Sequence, residues 1–228
     1  MTQLLISVTN VAEAEIALEY GADFIDLKDP TKGALGALPL AIIHEVVAYV
    51  NNQNHYGKRL TSATIGDLPM QAELILEHVV ALTKTKVDII KIGFFEAVDY
   101  QPCLDALKVT AQNGVKLIAV LFAEYQYPAS LISAIKVAGF YGVMLDTSHK
   151  NGATFLDYFS EKTMQLFAKN VHTQGLLFGL AGSLTLQHVA IVKRINPSYV
   201  GFRGGVCDQN QRNLSLNAEK IKAIRKAM

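Results

Sequence analysis

The sequence predicts a single (β/α)8 barrel of the TIM type over residues 1–228, and three observations carry that prediction. Short apolar runs alternate with helix-forming segments eight times along the chain. The runs are apolar throughout, as expected of parallel strands covered by helices. Eight is also the number of units at which a parallel sheet closes on itself, and 228 residues is about the size such a barrel requires. An open doubly wound sheet is the competing arrangement. It is disfavoured because no Gly-x-Gly-x-x-Gly turn follows the first run. No linker, low-complexity tract or compositional shift divides the chain.

The elements follow in order. Leu4 to Val8 reads as a buried strand, and Asn10 with Glu13 three residues on forms a capping-box-like start. The helix from Glu13 to Tyr20 stops at Gly21. The second strand, Phe24 to Lys28, ends where Pro30 cannot give an N–H to a ladder. The glycine-rich loop from Asp29 to Leu38 is either mobile or closely approached by a ligand. Pro39 suits the first turn of a helix reaching about Asn51, and a polar loop runs on to Lys58. The third strand, Leu60 to Ile65, ends at Gly66-Asp67 before a helix from about Pro69 to Lys84. Strand Asp88 to Ile92 then precedes helix Tyr100–Asn113, and strand Val115 to Phe122 precedes helix Pro128–Ala138. Strand Gly142 to Asp146 is followed by helix Ser160–Thr173, and strand Leu176 to Leu180 by Ala181-Gly182-Ser183 and a helix to about Ile195. Tyr199 to Phe202, the turn Arg203-Gly204-Gly205 and helix Asn217–Lys226 close the chain.

Composition excludes several classes of function. With 50% hydrophobic and 18% charged residues the chain is globular and not disordered. A net charge of +1, from 21 basic and 20 acidic residues, gives no electrostatic footprint for nucleic acid. The stretch Met1 to Ser7 lacks a basic n-region, so no signal peptide is expected. No apolar run approaches the roughly 18 residues of a membrane span. Cys103 and Cys207 form neither a disulfide framework nor a zinc pattern, which suits a reduced cytoplasmic setting. The six histidines show no metal-ligand spacing, so no metal and no cofactor are expected. The oligomeric state stays open, a homo-oligomer included.

The chemistry is expected at the C-terminal strand ends, where barrels place their sites. On one strand Asp26 and Lys28, two residues apart, point to the same face. Lys91 ends the fourth strand, Asp146 ends the sixth, and Lys150 follows it. Thr64, Asp67 and Glu124 stand at other strand ends. Charges on otherwise apolar strands are costly unless paired or used. One isolated Asp–Lys pair reads best as a structural ion pair, but recurrence at three strands favours a site. Lysines converging with carboxylates suit carbonyl chemistry: a neutral amine attacks, and a carboxylate shuttles protons through addition and dehydration. Gly182 and Ser183 after the seventh strand, and Arg203, Gly204 and Gly205 after the eighth, stand where barrels usually hold phosphate. His149 reads as a loop histidine that could shuttle protons, Cys103 as core, and Cys207 as a thiol near the site without an activating base.

Six ordered segments then carry a resemblance: Ile25-Asp26-Leu27-Lys28-Asp29-Pro30, Ser62-Ala63-Thr64-Ile65-Gly66-Asp67-Leu68-Pro69, Ile90-Lys91-Ile92-Gly93, Met144-Leu145-Asp146-Thr147, Leu180-Ala181-Gly182-Ser183-Leu184 and Gly201-Phe202-Arg203-Gly204-Gly205. Together they resemble the (5-formylfuran-3-yl)methyl phosphate synthase family, which makes the furan of methanofuran. The likeness runs from Leu4 to the last helix. It implies a lyase of class I aldolase type that condenses two molecules of glyceraldehyde 3-phosphate, with loss of phosphate and water. It implies Lys28 as the Schiff-base lysine with Asp26 beside it. Lys91, Asp146 and Lys150 would be acid–base and charge-stabilising groups, and Gly182, Ser183, Gly204, Gly205 and Arg203 would hold phosphate. The segment Phe122-Ala123-Glu124-Tyr125-Gln126-Tyr127 departs from the family pattern, and the second substrate's pocket is the part this touches. Another Schiff-base aldolase or phosphosugar isomerase on the same barrel is the alternative activity. A non-catalytic binder of phosphometabolites fits less well, because it needs no carboxylate beside each lysine.

Overall fold

The computed structural model describes residues 2–149 and 151–228, so Lys150 lies outside the described residues. The eight strands are β1 (Gln3–Val8), β2 (Phe24–Leu27), β3 (Leu60–Thr64), β4 (Ile89–Gly93), β5 (Lys116–Phe122), β6 (Gly142–Asp146), β7 (Leu177–Leu180) and β8 (Tyr199–Phe202). Each pairs in parallel with the next, and β8 returns to β1 through the register Gln3↔Tyr199 to Ile6↔Phe202, closing the expected barrel. The crossovers carry α1 (Val11–Glu19), α2 (Leu40–Asn51), α3 (Ala72–Thr83), α4 (Gln101–Gln112), α5 (Leu131–Val137), α6 (Glu161–Thr173) and α7 (Val189–Ile195), and α8 (Ala218–Ala227) follows β8.

Local chemistry sets the ends. Asn10 caps α1 by accepting the Glu13 N–H at 3.0 Å, and Ser160 and Asn217 do the same for α6 and α8. The regular strand β2 stops at Leu27, one residue short of the expected end, although Lys28 still donates its N–H to the Val8 carbonyl. Helix α3 begins at Ala72 and not at Pro69, because a tight turn intervenes in which the Gln71 N–H meets the Pro69 carbonyl. Helix α7 begins at Val189 behind a single 3-10 turn, Leu186–His188.

Strand alternation divides the core in two. Outward residues such as Ile25, Leu27, Ile90 and Ile92 pack against the helices, while Leu5, Phe24, Ile89, Ile118, Val120, Met144 and Tyr199 fill the barrel's interior. At the interior's base the Tyr199 ring stacks on Phe24 with centroids 5.2 Å apart. It occupies the space beside Gly179, where a Cβ would stand 2.2 Å from the Tyr199 ring carbon Cζ. On the β3–β5 side the mouth is filled as well. Ala34 and Leu35 from the β2–α2 loop are buried with Phe122, whose ring centroid lies 4.8 Å from Phe95 and 5.6 Å from Tyr125. That loop, expected to be mobile or closely approached by a ligand, packs into the mouth as a plug through Ala34 and Leu35. Asp67 pins it by accepting the Ala34 and Leu35 N–H groups, both at 2.7 Å. No helix among the described residues is long and apolar enough to cross a membrane.

Candidate active site at the barrel mouth

The inward positions of the strand register bring the charged groups together. Ser7, Asp26 and Ser62 are partners across β1, β2 and β3. The Asp26 carboxylate, fully buried, accepts hydroxyl bonds from Ser7 at 2.7 Å on Oδ2 and from Ser62 at 2.6 Å on Oδ1. Lys91 reaches it from β4, with Nζ 2.5 Å from Oδ1. Burial works to raise the Asp26 pKa, but the charges of Lys91 and Lys28 and the bonds from Lys91 and Ser62 overcome it and hold the carboxyl below its ordinary value. Removing an ion from water costs several kcal/mol even after relaxation, and here a close cation and hydrogen bonds on both oxygens offset that cost.

Lys28 and Asp146 face the same space from β2 and β6. Lys28 Nζ lies 3.9 Å from Asp146 Oδ2, and the other carboxylate oxygen of Asp146 accepts the Thr147 N–H at 2.7 Å. These groups line one cavity of about 780 Å³, together with Gly182, Ser183, Arg203, Gly204 and Gly205. That volume lies within the roughly 300–1,000 Å³ range of small-molecule sites. All the predicted site residues within the described part of the chain therefore meet in one place.

The two glycine turns differ in what glycine does. Gly182 adopts φ +101°, a left-handed conformation that favours glycine, and a Cβ there would come 2.9 Å from Thr147 Cγ2. At Gly205 a Cβ would stand 2.1 Å from the Leu184 carbonyl oxygen, so only glycine lets the β8 turn lie against the β7 turn. The N–H groups of Gly182, Ser183, Gly204 and Gly205 donate to no acceptor among the described residues. Backbone donors gathered in this way form an anion cradle.

Arg203 lines the cavity, but its guanidinium is spent on protein acceptors. Its five N–H donors go to the Arg212 carbonyl (2.8 Å), the Ser7 carbonyl (3.1 Å), both Glu13 oxygens and the Leu214 carbonyl (3.3 Å). Glu13, expected to close a box with Asn10, instead accepts the Thr9 N–H and receives Arg203. The arginine that the sequence reading missed is Arg212, which lines the cavity from the loop between β8 and α8.

The remaining flagged residues hold loops or core. Glu124 accepts the N–H groups of Ser148 and His149, both at 3.0 Å. Burial raises its pKa, but those two backbone bonds outweigh it and hold the carboxyl below its usual value. None of residues 122–127 lines this cavity, but Phe122 pairs with Asp146 in the strand register, the Ala123 N–H donates to the Asp146 carbonyl at 2.9 Å, and Glu124 holds the loop that follows. Cys207 is buried, and desolvation pushes its thiol up to about 11, which makes it a core group and no nucleophile. Cys103 is core too. His188, noted in the sequence only as one of the histidines without metal-ligand spacing, lines the cavity, and its Nδ1 accepts the Thr185 N–H at 2.9 Å. Burial lowers its pKa, and Asp157 works in the opposite direction.

Buried lysine–carboxylate pairs beneath an anion cradle, at the C-terminal end of a closed parallel barrel, define an enzyme acting on a small phosphorylated substrate. The comparisons narrow this. The 4-HFC-P synthase family model matches residues 4–225, and the chain belongs to that family. A relative from Methylorubrum extorquens is 37% identical over 226 residues, 99% of this chain and 91% of its own length. The (5-formylfuran-3-yl)methyl phosphate synthase of Methanococcus maripaludis strain C6 is 33% identical over 221 residues, 92% of each chain. The synthase of that name from Methanocaldococcus jannaschii is 31% identical over 235 residues, 97% of each. Among solved structures, phosphoribosyl anthranilate isomerase from Thermus thermophilus superposes with a TM-score of 0.66 at 15% identity, covering 99% of this chain and 98% of its own. That likeness concerns the fold alone.

Proposed function

We propose that this enzyme condenses two molecules of glyceraldehyde 3-phosphate into (5-formylfuran-3-yl)methyl phosphate, the furan precursor of methanofuran or of an analogous one-carbon cofactor, through an imine on Lys28. The atoms balance with the loss of one phosphate and two waters. One triose, isomerised to the dihydroxyacetone phosphate level, forms the imine. The second triose loses phosphate to give an enol whose terminal carbon attacks the imine carbon. Elimination then frees the Lys28 amine, the hydroxymethyl group closes onto the new ketone, and loss of water completes the ring; the other water leaves when the imine forms.

The observation that carries this reading is the pairing of each buried lysine with a carboxylate in one cavity. Lys91 Nζ lies 2.5 Å from Asp26 Oδ1, and Lys28 Nζ lies 3.9 Å from Asp146 Oδ2. A carboxylate beside an amine can take its proton and return it during addition and dehydration. The family likeness carried by residues 25–30 favours Lys28 as the amine that attacks. Lys91 and Asp26 then act as a proton-shuttling pair, and Asp146 serves the carbinolamine and its dehydration. Lys150, outside the described residues, belongs to the same group by sequence. The cradle formed by the β7 and β8 turns takes a phosphate.

Borohydride reduction with triose phosphate present, followed by intact mass and peptide mapping, tests the reading. A triose-phosphate adduct on Lys28 is expected. An adduct on Lys91 would overturn the residue assignment, and no adduct on folded protein would overturn the chemistry. Product mass separates the furan from the product of another aldolase or isomerase.

A further inference from the structure

The reaction proposed above brings two phosphates into one cavity, yet the glycine turns of β7 and β8 make one cradle. Arg203, the cation that the sequence places beside it, has all five donors committed to protein acceptors. Its role is to hold a loop: it binds the carbonyls of Arg212 and Leu214 and is itself anchored on Glu13. The segment thus bracketed carries Arg212 across the β1 side of the mouth. There one guanidinium nitrogen donates to the Gly33 carbonyl of the β2–α2 plug at 2.9 Å. The other N–H donors of Arg212 have no partner among the described residues, and the residue lines the cavity half-buried. Gly33 is fixed in turn, because Asp67 clamps the two N–H groups that follow it. A guanidinium tethered at one corner and open at the others is preorganised for a bidentate oxyanion.

The guanidinium reaches away from the cradle. The Arg212 backbone stands beside Gly204, where an added Cβ would lie 3.7 Å from the Arg212 nitrogen and 3.8 Å from its Cβ, while its guanidinium meets the Gly33 carbonyl in the loop that follows β2. Gly182, at the other arm of the cradle, packs on Thr147 at the β6 end. The imine-forming triose must reach the buried amines at the bottom, while its reaction partner arrives at the rim, where Arg212 stands.

We propose that Arg212 forms a second anion subsite, which seats the phosphate of the second triose, the one not held as the imine, and is set in place by the Glu13–Arg203 bracket. The choice of triose rests on the imine reading above; the subsite itself does not.

Two measurements test it on the full-length enzyme. In the first, the arginines are modified with phenylglyoxal and mapped by mass spectrometry, with and without inorganic phosphate. Arg212 is expected to react and to be protected by phosphate, while Arg203 stays unmodified. Reaction at Arg212 that phosphate leaves unchanged overturns the subsite. In the second, Arg212→Ala and Arg212→Lys are assayed, with folding checked by thermal melting. Arg212→Ala is expected to raise KM for glyceraldehyde 3-phosphate at least tenfold with kcat within about threefold, and Arg212→Lys to recover part of the loss. The borohydride adduct on Lys28 should form at wild-type yield in both. An unchanged KM overturns the proposal, and loss of the adduct overturns the assignment to the second triose. If wild-type enzyme gives no adduct while phosphate still protects Arg212, the imine reading falls and the subsite stands.

Discussion

At the scale of single residues, the site is a problem in keeping charge stable away from water. Asp26 and Lys91 are each nearly dry and depend on each other. Lys91→Met leaves the carboxylate without its close cation, and breaking such a pair costs about 3–5 kcal/mol. A matching fall in thermal stability is expected, largely relieved in Lys91→Met/Asp26→Asn, because groups in contact do not contribute additively. Lys28→Ala should reduce turnover on the order of 10³-fold or more and abolish the reduced adduct, as removal of a covalent nucleophile does. The charges themselves were legible in the sequence, since Asp26, Lys28, Lys91 and Asp146 interrupt apolar runs. Ser7 and Ser62 were not. A serine in a strand looks neutral until the register sets it opposite an aspartate, and register is a property of the closed barrel.

At the scale of elements, most of the work is done by carboxylates that hold loops. Asp67 and Glu124 each accept two consecutive backbone N–H groups, from residues 34–35 and 148–149. Asp67→Ala leaves the first pair of donors unmet, at a cost of about 1–3 kcal/mol. Faster hydrogen exchange confined to residues 29–38 would report it, and an unchanged exchange pattern would refute the pinning role. The turn after β7 carries its own pH dependence. The His188 pKa is pushed below the ordinary 6.5 chiefly by burial, and Nδ1 accepts the Thr185 N–H, a bond that protonation removes. With the folded pKa below the unfolded one, the contribution is full above about 6.5 and drains as pH falls through the folded value. Protection of residues 182–188, measured relative to intrinsic exchange at each pH, should therefore fall below pH 6.5 in the wild type and lose that dependence in His188→Gln. None of these anchors had a sequence signature. Asp67 and Glu124 were visible as strand-end acids, but a carboxylate that binds backbone looks the same in sequence as one that binds substrate.

For the whole molecule, the eightfold alternation was enough to give the closed barrel, because each apolar run has one way to be covered on its outer face and another to fill the interior. What stayed hidden was the asymmetry of the mouth, half of it filled by Leu35, Phe95, Phe122 and Tyr125 and half open. Such packing depends on loops, which carry no periodicity. Acid should act on the whole fold. Asp26 and Glu124 both titrate below their ordinary values of 3.8 and 4.5, so the stability they contribute is present above those values and is lost as pH falls toward the folded ones. A melting temperature that falls steeply below about pH 4 would bear this out, and Asp26→Asn should flatten the slope. The base of the barrel has a consequence for history. Gly179 and Tyr199 divide one space between them, the glycine leaving what the ring takes. Enlarging position 179 first collides with the ring, and trimming position 199 first opens a void worth several kcal/mol. Descendants of this sequence can exchange the two volumes only by passing through a damaged intermediate, so the pair should be inherited as a unit.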